Sequence, residues 1–182
     1  YFVNTRAYLL HVLHGNENSP FCPFVKLIEE GNGYYIKAYL DHPDNVNRFH
    51  GTLLNELFGE FRRLSPRETF KGQPVDITSV VAAFDHPDFN SRETCQILND
   101  IRDNYRQSFL DQGLMISQMH PYHQLGGSSN RSLQLTDASL YNSGIPLLVV
   151  RRMHEADHVF MKKPQEKLAY QKFFGSIASA EI

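Results

Sequence analysis

Apolar residues recur along this chain at two spacings, and the alternation between them sets out a sequence of helices and strands. Residues 1–14 place Val3, Ala7, Leu10 and Leu13 at helical spacing, and Gly15-Asn16 stops that run. Residues 34–40 have strand composition between Gly33 and the Asp41-His42-Pro43 turn. Phe49, Leu53, Leu57 and Phe61 stand four apart, which predicts a helix over 46–62 with one apolar stripe. A polar connector over 65–74 leads to a buried-strand candidate at 76–84, which Asp85-His86-Pro87 ends. Asn90 followed by Glu93 has capping-box spacing and opens a helix over 91–110. Strands follow at 114–119 and 145–151, separated by a polar loop over 120–144, and a helix over about 165–178 comes last.

This order predicts an α+β sandwich in which about four strands form a sheet packed with helices. With 182 residues, one domain over 1–182 is the expectation, large enough to bury a core without a disulfide or metal. The loop over 120–144 is long for a compact domain, and such loops are most often lids or binding loops.

Composition narrows the function classes. A net charge of −2 and a pI near 6.5 argue against a general nucleic-acid or membrane-surface binder. No window approaches a membrane span, and no basic-then-apolar leader opens the chain. Two cysteines, Cys22 and Cys95, cannot make a disulfide framework, so a reducing, cytoplasmic compartment is expected. Nine histidines are an excess, and imidazole serves proton transfer and metal binding near neutral pH.

Four constellations and one smaller signal carry candidate chemistry. Cys22 lies in a tight Phe21-Cys22-Pro23-Phe24 turn with Lys26 four residues on, so it reads either as a thiolate nucleophile or ligand or as a small core residue. His120, Tyr122, His123 and Gln124 supply donors, acceptors and ligands within five residues after a strand. Asn130, Arg151 and Arg152 are candidate substrate contacts; adjacent arginines on a strand point to opposite faces, so at most one faces a given pocket. His154-Glu155-Ala156-Asp157-His158 matches His-Glu-x-x-His, but it follows a strand directly and has no evident third ligand, so the match is discounted as chance. Asp85-His86-Pro87-Asp88 ends a strand and can place Asp85 or His86 at the same sheet edge as His120; turn chemistry accounts for it equally well.

Three of these motifs, taken in order, resemble a known pattern. Cys22-Pro23-Phe24-x-Lys26, then His120-Pro121-x-His123-Gln124-Leu125-x-Gly127, then Ser143-x-x-Pro146-x-Leu148 running into Arg151-Arg152 is similar to the domain-of-unknown-function family numbered fourteen-fifteen. The resemblance spans about residues 19–152, and Gly144 replaces the first proline of that family's Ser-Pro-x-Pro run. It implies no activity, but it implies that Cys22, His120 and an arginine belong to one site.

The leading expectation is therefore a small-molecule enzyme acting on an anionic substrate, a carboxylate by preference. Cys22, His120 and His123 would be catalytic, with Tyr122, Gln124, Asn130, Arg151 and Arg152 binding substrate. The alternative is a haem- or metal-binding protein using Cys22 or the loop histidines. A non-catalytic binding domain is the third class.

Overall fold

In the computed structural model, residues 34–63, 68–70, 73–75, 79–122 and 145–175 are described. Chain order is β1 (Tyr34–Tyr39), α1 (Pro43–Arg48), α2 (His50–Arg63), β2 (Glu68–Phe70), β3 (Gln73–Val75), β4 (Ser79–Phe84), α3 (Arg92–Leu110), β5 (Leu114–Met119), β6 (Leu147–Arg152), a 3-10 helix (Glu155–Phe160) and α4 (Pro164–Phe174). The fold is α+β. Four strands form a mixed sheet in the order β1-β4-β6-β5, and β2 pairs with β3 in a separate antiparallel ribbon.

β4 is an unbroken run of buried residues because it is central and covered on both faces. It pairs parallel with β1 (Tyr39 opposite Phe84) and antiparallel with β6 (Ala83 opposite Leu147). β5 also pairs antiparallel with β6, Met119 opposite Leu147. It follows that β1, β4 and β5 all run one way and β6 runs against them. The carboxyl ends of three strands meet at one rim of the sheet, beside the start of β6.

On one face, Val80, Ala82, Phe84, Leu114, Ile116, Leu148 and Val150 pack against Leu54, Leu57 and Phe61 of α2 and Leu98, Ile101 and Phe109 of α3. Burying each such side chain contributes about 1.5–3 kcal/mol. Phe58 of α2 stacks on Phe109 of α3 with ring centroids 4.3 Å apart. On the opposite face, Met115 joins Leu110, Met153, Met161, Ala169 and Tyr170, which seats α4.

The helix expected over 46–62 is two helices. Phe49 leaves the helical region (φ −113°, ψ 22°) and is largely exposed, so it drops off the predicted stripe and Leu54 takes its place. The capping of α3 also differs by one residue: Ser91, not Asn90, is the N-cap, and Thr94, not Glu93, closes the box. The polar connector over 65–74 contains β2 and most of β3. The expected first helix, residues 1–14, lies outside the described residues.

Candidate functional site

Each of the three co-directional strands ends in the same dipeptide. β1 runs into Asp41-His42-Pro43-Asp44, β4 into Asp85-His86-Pro87-Asp88, and β5 into His120-Pro121-Tyr122. Proline holds the histidine before it in extended backbone, as at His42 (φ −60°, ψ 143°), and cannot itself continue a ladder. Pro43 then serves as the first residue of α1, where its missing N–H leaves no orphan.

The three imidazoles share a second feature. Nδ1 of His42 accepts the backbone N–H of Asp44 at 3.1 Å, Nδ1 of His86 that of Asp88 at 3.2 Å, and Nδ1 of His120 that of Tyr122 at 3.2 Å. A ring nitrogen that accepts carries no proton, so each neutral ring holds its proton on Nε2. Nε2 of His42 lies 2.9 Å from Asp88 Oδ2 as an ion-pair contact, and His120 donates its Nε2–H to Asn99 Oδ1 at 3.0 Å. The Nε2 of His86 has no hydrogen-bond partner among the described residues, and its side chain is 27% exposed. The rings of His42 and His86 meet edge to face with centroids 5.3 Å apart.

The packing beneath the rim holds these turns. Tyr39 stacks on Phe84, and Phe84 packs at a tilt against the buried Phe89, whose N–H bonds back to His86 O. Asp85 N donates to Tyr39 O at 2.8 Å and ties the first two turns together. His120 is buried in a polar network in which Asn99 Oδ1 also accepts Gln118 Nε2 at 2.9 Å, while Asn99 Nδ2 donates to Gln96 Oε1. The hydroxyl of Tyr122 donates to Asn90 O, just before α3.

His120 and Tyr122 therefore stand at the rim, and His86 stands there with them as the strand-end spacing suggested. Arg151 and Arg152 do not. Arg151 lies opposite Met115 and Arg152 opposite Leu114, five and six positions from His120. At about 3.4 Å per residue they are roughly 17–20 Å from it, at the far end of the sheet. As the alternation requires, they point to opposite faces. Arg152 lies over the Phe61 ring, 5.6 Å from its centroid. Arg151 grips the fully buried Asp157 with both guanidinium nitrogens, at 2.8 and 2.6 Å. An arginine and His120 in one site, as the family resemblance implied, is not what the register gives. Cys22, His123, Gln124 and Asn130 lie outside the described residues, although the chain leaves at Tyr122 and returns at Ile145, both at this rim.

The His-Glu-x-x-His segment forms a 3-10 helix, which does not stack positions four apart on one face. Its Asp157 is the partner of Arg151, and Nδ1 of His158 lies 3.0 Å from Glu155 O. Among the described residues no group of three or more His, Cys, Asp or Glu is placed to hold a metal ion. The rim histidines are also arranged the wrong way round for ligation. A metal-bound imidazole usually donates from its second nitrogen, whereas Nδ1 here accepts. Burial pushes the Cys95 thiol up to about 11, which makes it a core residue and not a nucleophile.

The repeated Asp-His-Pro-Asp was the signal available for His42 and Asp88, two rim residues absent from the sequence-derived candidates. A family model described as a domain of unknown function, DUF6875, matches residues 13–182. The chain belongs to the DUF6875 family. That assignment overturns the resemblance to the family numbered fourteen-fifteen, which is a different family. No curated protein and no solved structure matches the chain. Among the described residues of this DUF6875 protein, no helix is long and apolar enough to cross a membrane.

Proposed function

We propose that this DUF6875 protein is a small-molecule enzyme whose substrate sits at the carboxyl rim, with His86 as the group that polarises a substrate carbonyl or carboxylate oxygen. One observation carries the reading. Of three imidazoles that accept at Nδ1, His42 places Nε2 against the Asp88 carboxylate and His120 bonds Asn99, and His86 alone has its Nε2 without a partner among the described residues. Sheets with co-directional strands bind ligands beyond the carboxyl ends of those strands. A neutral imidazole held in one tautomer is a known electrophilic donor to a developing oxyanion. Tyr122 borders the same rim. The arginine clamp expected for an anionic substrate has no part in this reading, because both arginines lie at the opposite end of the sheet.

Substitution at His86 separates this role from a purely structural turn. The Oδ1 of asparagine can take the place of Nδ1 as acceptor for the Asp88 N–H, but asparagine puts no donor where Nε2 stands. Acetate, acetone and acetamide at tens of millimolar serve as probes in amide-resolved NMR titrations. The wild-type chain is expected to show shifts confined to residues 41–44, 85–88 and 120–122, and His86→Asn to lose them with its spectrum otherwise native. Shifts that persist unchanged in His86→Asn, or that fall elsewhere, refute the proposal.

A further inference from the structure

The two Asp-His-Pro-Asp turns carry, besides the hydrogen bonds already described, a second set of partners within reach. Asp44 Oδ2 lies 3.7 Å from His42 Nδ1, and Asp88 Oδ2 lies 3.7 Å from His86 Nδ1. Each Nδ1 thus faces two groups of the residue two positions on: its backbone N–H, which a neutral ring accepts, and its carboxylate, to which only a protonated ring can donate. The two arrangements exclude each other at one nitrogen. At β5 the residue two positions on is Tyr122, which offers no carboxylate, so the device exists twice and not three times.

The copies are joined. Asp88 Oδ2 lies 2.9 Å from His42 Nε2 and is also the carboxylate poised for His86. From the α1 side His42 faces Asp44; from the turn before α3 it faces Asp88 and the edge of His86. Asp41 and Asp85 precede the two rings, and neither turn contains a lysine or arginine. Among the described residues, Asp44 and Asp88 have only these histidines as ion-pair partners.

We infer that this His42–Asp44–Asp88–His86 cluster is a proton-operated switch in the carboxyl rim. On protonation each Nδ1 gains a hydrogen, releases the backbone N–H two residues on and turns to the carboxylate there. For His42 that release removes the side-chain cap of α1; for His86 it frees the turn leading to α3. Two imidazolium rings 5.3 Å apart repel each other while both face Asp88. The inference goes beyond the catalytic reading and stands without it, since it needs no substrate.

The test follows ring nitrogens and backbone amides of the ¹⁵N-labelled full chain by NMR from pH 8 to pH 5. At pH 8 the His42 and His86 rings are expected as Nε2–H tautomers. As the rings titrate, the Asp44 and Asp88 amide protons should move upfield with the same midpoints, reporting lost hydrogen bonds. Asp88→Asn should lower the midpoints of both rings, and the exposed Asp44→Asn that of His42 alone. Amides of Asp44 and Asp88 that stay flat through the ring titration overturn the inference. So do Nδ1–H tautomers at pH 8, or ring midpoints that Asp88→Asn leaves in place. Because the probes act on pH alone, a negative acetate titration and a negative pH titration refute different claims.

Discussion

Replacing Asp157 with asparagine keeps the side chain's shape and removes its charge at a site with no access to water. Asp157 accepts from both terminal nitrogens of Arg151 at 2.8 and 2.6 Å and from the His154 N–H at 2.7 Å, and it is 0% exposed. The Arg151 side chain is only 16% exposed, so its cation would lose the Asp157 carboxylate while staying largely out of solvent. Breaking such a buried pair from one side costs about 3–5 kcal/mol. In a chain of this size each kcal/mol lowers the melting temperature by roughly 2–4 °C, so a fall of about 6–20 °C is expected. Urea and calorimetric unfolding of the wild type, Asp157→Asn, Arg151→Met and the pair Arg151→Met/Asp157→Leu measure it. The double variant should recover most of the loss, because an apolar pair of similar volume avoids desolvating two charges. A loss below about 1 kcal/mol in Asp157→Asn, measured against that scale, refutes the assignment of Arg151 as a structural cation.

Three further outcomes follow from the same packing. Cys95, fully buried and with its thiol raised to about 11, should resist alkylation at pH 8 until the chain unfolds; labelling of folded protein contradicts this. Burial alone would push the Glu166 carboxyl up, but the Arg106 hydrogen bond at 2.7 Å and the N–H groups of Lys163 and Lys162 outweigh it and hold it below the usual value of 4.5. Its stabilisation is therefore complete above 4.5 and lost as pH falls through the lower folded value, so the stability gap to Glu166→Gln should shrink on that acid limb of a denaturation series. Gly113→Ala and Gly175→Ala both place alanine at positive φ (72° and 76°), a strain of order 1–3 kcal/mol, and only the first puts Cβ 3.0 Å from the Phe173 ring. Gly113→Ala should unfold at lower urea than Gly175→Ala; equal midpoints would show that the ring yields freely.

Much of the sheet was legible because its strands are bounded by strong punctuation. β5 lies between Gly113 and His120-Pro121 and matches the expected 114–119 at both ends. β4 covers residues 79–84 of the expected 76–84, and residues 76–78 lie outside the described residues. Short elements escaped: β2 and β3 have three residues each, too few to show a period. The cap of α3 slipped by one because Asn90 and Ser91 are equally good capping types. The alternation of Arg151 and Arg152 was readable locally, but their distance from His120 was not. That distance depends on β6 running against β5, which no local pattern encodes. The same holds for His42 and Asp88: 46 positions separate them in the chain, and the parallel pairing of β1 with β4 brings them to 2.9 Å. The excess of histidine, which composition alone casts as a pool of reactive groups, is partly turn chemistry, since three of the nine close strand ends through Nδ1.

The strand order β1-β4-β6-β5 has a consequence for how the molecule is made. The last of the four to leave the ribosome, Leu147–Arg152, is inserted between two that precede it. Until it arrives, β4 and β5 have no common neighbour and each presents an open ladder of backbone donors and acceptors. Nascent chains that stop short of residue 147 are then expected to stay protease-sensitive and prone to strand-to-strand association, and the sheet closes in one late, long-range step.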